Sequence, residues 1–102
     1  MNDICNVVWT TRAEKDLDNI FDYIESTWTQ REIDNFAKLL EHNIELIAKH
    51  PNMFQFYDVS RNIHKCVISQ QTSIFYAVDF NKNNVSVLTI WDNRRNPADL
   101  TL

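Results

Sequence analysis

The chain is 102 residues long and contains no glycine. Every turn must therefore be made by residues that carry a Cβ. Any position needing a positive φ falls to asparagine, the non-glycine residue that tolerates the left-handed region best. The run Asn81-Lys82-Asn83-Asn84 is where such a turn is expected. The same absence excludes whole classes of function. P-loops and dinucleotide fingerprints need glycine so that the backbone can come close to phosphate.

A chain of this length buries roughly two thirds of its unfolded surface. With twelve aromatic residues among its apolar positions it can build a core without staples, so one domain over 1–102 is expected. Cys5 and Cys66 each sit inside an apolar segment and read as small buried hydrophobes. Neither belongs to a CxxC pair or a His-rich cluster, so no metal site and no cofactor are implied. The start MNDICNVVW lacks the basic and apolar regions of a signal peptide. No apolar run approaches the ~20 residues of a membrane span. The expected address is the cytoplasm, with no membrane partner.

Net charge is −4, unevenly spread. Residues 1–50 hold ten acids against five Lys/Arg, and residues 51–102 hold four acids against five Lys/Arg. An anion would be bound by the second half.

Hydrophobic periodicity divides the chain. Residues 4–9 (ICNVVW) read as a strand. Thr11-Arg12-Ala13-Glu14 has the form of a capping box, followed by apolar residues at helical steps from Ala13 to Trp28, which predicts a helix over about 12–27. A second capping box, Thr29-Gln30-Arg31-Glu32, opens a helix that should stop near His50, ahead of Pro51. The short link makes the pair an αα-hairpin. Beyond Pro51 the period changes. A short extended piece is expected at 54–57, then alternating strands at 62–69, 73–80 and 85–91 with short loops. The expected fold is α+β, in the order β-α-α-β-β-β, with the helical hairpin on a small antiparallel sheet. Ile74, Tyr76, Val78 and Phe80 should share one face, and His64 should share a face with Cys66 and Ile68.

Three segments carry a resemblance. They are Val8 to Ala13 with Asp16-Leu17, Ile20 and Asp22-Tyr23-Ile24; Asn62-Ile63-His64-Lys65-Cys66-Val67-Ile68 with Ile74-Phe75-Tyr76; and the ending Leu88-Thr89-Ile90-Trp91-Asp92-Asn93-Arg94-Arg95-Asn96-Pro97. In this order and spacing the chain resembles the RelE/ParE toxin superfamily of bacterial type II toxin–antitoxin systems. The resemblance implies a small toxin held inactive by a cognate antitoxin. It also implies one of two targets. ParE-like members inhibit DNA gyrase, and RelE-like members cleave mRNA on the ribosome.

A nuclease needs groups that activate a 2′-OH, stabilise the charged transition state and protonate the leaving oxygen. Candidates are Arg61, His64 and Lys65 on the sheet and Arg94 and Arg95 after the last strand. Beyond Pro97 the chain has no Tyr or His, as the RelE-like branch carries near its C-terminus, and its pI is near 5.2. A protein working among rRNA phosphates should be basic. Both observations favour the ParE-like reading, in which Asn93, Arg94 and Arg95 contact the target. A toxin-like chain that only binds its antitoxin is a third reading. One of the two arginines is expected to pair with Asp92 or Asp99 and brace the C-terminal tail while the other faces the target. Glu14, Asp18, Asp22 and Glu25, at helical steps, form an acidic stripe suited to a basic antitoxin segment.

Overall fold

The computed structural model describes residues 4–102. Strand β1 (Asn6–Trp9) leads into helix α1 (Thr11–Thr27) and helix α2 (Gln30–Lys49). Four strands follow: β2 (Gln55–Asp58), β3 (Ile63–Val67), β4 (Thr72–Asp79) and β5 (Asn84–Asp92). A single 3-10 turn, Pro97–Asp99, lies in the tail.

The sheet runs β1-β5-β4-β3-β2. The meander β2 to β5 is antiparallel as expected, but β1 pairs with β5 in parallel, Val7 opposite Val85 and Trp9 opposite Val87. The sheet is therefore mixed, not purely antiparallel. A parallel neighbour requires a long crossover, and the helical hairpin supplies it. The short piece after Pro51 is a full fifth strand at the sheet edge.

Both helix starts are capped by threonine. The cap of α1 is Thr10 rather than Thr11: Thr10 has extended backbone angles and its Oγ1 accepts from the Ala13 amide. Thr10 also donates to the carbonyl of Val87, so the cap sews α1 onto β5. The expected capping box at Thr11 does not form, because Thr11 is already helical. The box at α2 does form: Thr29 accepts from the Glu32 amide, and the Glu32 carboxylate takes the Thr29 amide. Trp28 and Phe21 both meet the Phe36 ring edge-on and close the hairpin.

The two positive-φ residues among those described are Asn62 (56°) and Asn83 (53°). The glycine-free chain thus gives both left-handed positions to asparagine. Each is also anchored. Asn62 Nδ2 donates to the Val78 carbonyl, and Asn83 Oδ1 accepts from the Cys5 thiol.

The main core lies between the hairpin and one sheet face, with Ile47, Ile74, Tyr76, Val85 and Val87 fully enclosed. Each such aliphatic side chain contributes about 1.5–3 kcal/mol. Phe80, expected on this face, lies past the end of β4 and is exposed. A bulge in β5 puts the pair Tyr76–Val87 next to the pair Phe75–Thr89, leaving Leu88 as the extra residue. It shifts the alternation by one. Ile90 rejoins the helix-side core, and Trp91 packs on the other face with Ile63 and Phe75. Leu100 and Leu102 of the tail cover that second cluster.

Candidate functional site

The end of β5 delivers the two arginines differently. Arg94 folds back on Asp92 with a two-point grip: Nε donates to Oδ1 at 3.0 Å and the second guanidinium nitrogen to Oδ2 at 2.9 Å. The Arg94 amide also donates to Asp92 Oδ1. This charge-assisted bonding holds the Asp92 carboxyl below its ordinary range and raises the Arg94 guanidinium. Arg95 instead lays its guanidinium over the Trp91 ring, 4.4 Å from the centroid. Trp91 is itself buried, so the ring is a fixed platform.

Arg94 thus makes the expected ion pair with Asp92, while holding the tail beyond Pro97 is a separate role. That role falls to two others. Arg12, in the first turn of α1, donates to the carbonyl of Thr101. Arg61, in the turn before β3, donates to the carbonyl of Leu102 at 2.6 Å. Arg61 also pairs with Asp58 at 2.7 Å, which lowers the Asp58 carboxyl to about 2.

Asn93 is turned inward. Its side-chain oxygen accepts from Ser73 Oγ at 2.8 Å and its amide nitrogen reaches the carbonyls of Ser69 and Gln70. It ties the β3–β4 turn to the end of β5. Lys65 stands on the sheet face away from the helices, its ammonium 5.8 Å from the Phe75 ring centroid.

His64 is fully enclosed. Its ring is stacked between Phe56 (4.3 Å between centroids) and Tyr76 (5.2 Å). Nδ1 lies 2.9 Å from the Phe54 carbonyl, an arrangement in which Nδ1–H donates, while Nε2 is buried without a partner. Tyr76 donates its hydroxyl to the Pro51 carbonyl at 2.7 Å. Burial drives the Tyr76 phenol upward and pushes the Cys66 thiol up to about 12, so neither ionises near neutrality. Arg61, His64 and Lys65 belong to one turn and strand, but Arg61 is in an ion pair, His64 faces the core and Lys65 faces the opposite side.

A groove of about 310 Å³ runs between α1 and the end of β5. Tyr23, Trp28, Phe36 and Ile90 give it apolar walls, and Asp16, Asp92, Arg94 and Arg95 give it charged ends. Trp28 and Phe36 do not stand out in the sequence because both fit a core stripe. Tyr23 is the signal that was available: it lies next to Ile24 on α1, half exposed at the groove's rim. Glu14, Asp18, Asp22 and Glu25 all lie exposed along α1. Among the described residues no cluster of His, Cys, Asp or Glu could hold a metal ion, and no helix is long and apolar enough to cross a membrane.

Residues 7–97 match the sequence profile of the ParE toxin of the parDE type II toxin–antitoxin system. The chain belongs to the ParE toxin family. The Toxin ParE1 of Caulobacter vibrioides is 34% identical over 77 residues, covering 76% of this chain and 80% of that relative. Two solved structures share the fold. The chromosomal ParDE system of P. aeruginosa superposes with a TM-score of 0.70 at 14% identity, covering 87% of this chain and 96% of the other. The RelBE2 toxin–antitoxin complex of Mycobacterium tuberculosis superposes with a TM-score of 0.61 at 15% identity, covering 90% and 94%. The α+β fold, two helices on a five-stranded mixed sheet, is that of ParE and RelE toxins, and the chain is a type II toxin of the ParE kind.

Proposed function

We propose that this ParE-family toxin acts by binding and inhibiting DNA gyrase without cleaving RNA, and that a cognate antitoxin neutralises it. The burial of His64 is the observation that carries the mechanism. The one histidine on the sheet is clamped between Phe56 and Tyr76, with no exposed edge to reach a phosphate or a ribose hydroxyl. Tyr76 is likewise committed to Pro51, and Arg61 to Asp58 and the tail. A nuclease would need these groups free and convergent. Family membership and the acidic pI of 5.2 support the same reading.

Arg95 is the target-facing residue in this reading. Its guanidinium is held on a rigid indole and has no carboxylate partner among the described ion pairs, which leaves its donors for the target. Arg94 shapes the strand end through Asp92. The acidic stripe on α1 receives a basic segment of the antitoxin, steering its approach by charge.

The test is synthesis of DNA and protein labelled separately within minutes of induction in a bacterium. The expected result is that DNA synthesis stops first. Protein synthesis stopping first establishes the ribosomal alternative. Growth without change in either leaves a chain that only binds its antitoxin.

A further inference from the structure

We propose that residues 96–102 form a releasable strap over a second apolar face of the sheet, latched by Arg12 and Arg61 and coupled to the α1 groove through Asp16. The core between the helices and the sheet accounts for one face only. On the other, Ile63, Phe75 and Trp91 make a separate buried cluster, with Leu88 at the bulge and Leu100 and Leu102 of the tail packed against it. The cover is made by residues 96–102, most of which are neither sheet nor helix.

Its attachments are few and sit at two points. Within the strap, Asn96 caps the 3-10 turn by accepting from the Ala98 amide, and the Asp99 and Leu100 amides bond back to Asn96 and Pro97. From outside, Arg12 takes the Thr101 carbonyl and Arg61 the Leu102 carbonyl. These two arginines are far apart in sequence, one at the start of α1 and the other in the β2–β3 turn, and converge on adjacent carbonyls of the tail. The strap pairs with no strand, so it can leave without breaking a ladder. Segments with exposed hydrogen bonds and few buried contacts open below the global unfolding free energy.

The coupling follows from Asp16. Its carboxylate lines the groove, accepts a hydrogen bond from Thr89 beside the bulge, and lies 3.9 Å from Arg12 Nε. Arg12 thus stands between a groove carboxylate and the Thr101 carbonyl. A cation entering the groove and taking Asp16 would free Arg12 to move, and the latch with it. The device does not depend on which target the toxin binds.

Hydrogen exchange read by mass spectrometry on the full chain tests this, with an apolar dye, 8-anilinonaphthalene sulfonate, reporting the uncovered face. Arg12→Ala with Arg61→Ala should speed exchange of the 96–102 amides by about tenfold, leave β4 unchanged and raise dye emission. Asn96→Ala, which touches neither the sheet nor the latches, should act in the same direction and serves if the double variant fails to fold. Asp16→Asn should speed tail exchange by about threefold through Arg12 alone. Arg31→Ala, on the exposed side of α2, is the control. Tail exchange unchanged in the latch variants, or tail and β4 accelerating together, overturns the strap. An Asp16→Asn tail identical to the parent overturns the coupling.

Discussion

Arg95 holds its guanidinium 4.4 Å from the centroid of the Trp91 ring, four residues back along the chain. The neighbouring arginine does something else: Arg94 closes on Asp92 at 2.9 Å. Two adjacent and chemically identical side chains are separated by their partners. A buried indole presents one to solvent, and a carboxylate ties the other to the strand end.

This division predicts separable phenotypes. Arg95→Ala should keep the fold and its melting temperature while reducing growth inhibition by about tenfold, the loss expected for one charge-assisted contact. Trp91→Ala removes both the platform and a core aromatic, and should cost about 3 kcal/mol or more in denaturant unfolding. If Arg95→Ala is as toxic as the parent, the target contact lies elsewhere.

His64 offers a test of chemistry against packing. His64→Phe keeps an aromatic ring between Phe56 and Tyr76 and loses the bond to the Phe54 carbonyl, so stability should change by about 1–2 kcal/mol. Growth inhibition should persist at a temperature where the variant is folded. His64→Ala opens a cavity in the stack and should cost about 3 kcal/mol. A folded but harmless His64→Phe chain would reveal that the imidazole itself does chemistry.

Acid should act through two carboxylates. Folding lowers Asp58 from 3.8 to about 2 and moves Asp92 in the same direction. As pH falls the unfolded chain takes up these protons first, so the stabilisation is complete above 3.8 and is lost as pH falls towards each folded value. Carbon-detected NMR of the carboxyl groups should place Asp58 well below an ordinary aspartate, and Arg61→Ala should return it to that range. An unmoved Asp58 in Arg61→Ala would contradict the pairing.

Each helix cap should be measurable by itself. Thr29→Ala breaks the capping box of α2 and should cost about 1 kcal/mol. Thr10→Ala should cost more, about 2 kcal/mol, because Thr10 both caps α1 and bonds the Val87 carbonyl beside the bulge. Equal losses in urea titrations would mean that the second bond contributes nothing.

Local signals in the sequence were read well where the physics is local. Helix spacing placed α1 and α2 within a residue or two, and Pro51 marked the stop at His50. The asparagine-rich turn contains Asn83 at positive φ. Non-local relationships were not legible. The parallel pairing of β1 with β5 joins residues nearly eighty positions apart, and no short motif encodes it. The bulge at Leu88 sends Trp91 to the face opposite Val85 and Val87, and a period-2 reading has no means to foresee one extra residue. The site was partly legible. Arg94 and Arg95 stood out by position, and their division of labour depended on Asp92 and Trp91 within the same short segment. The tail's true clamps, Arg12 and Arg61, were hidden because each lies far from the tail in sequence.

The central claim is inhibition of gyrase by a non-nucleolytic surface. The most direct measurement is ATP-dependent supercoiling of relaxed plasmid by purified gyrase with the purified toxin added, alongside the Arg95→Ala variant. The account predicts loss of supercoiling with the parent chain and marked relief with Arg95→Ala. Full supercoiling in the presence of excess parent toxin, together with cleavage of ribosome-bound mRNA by the same preparation, would contradict it.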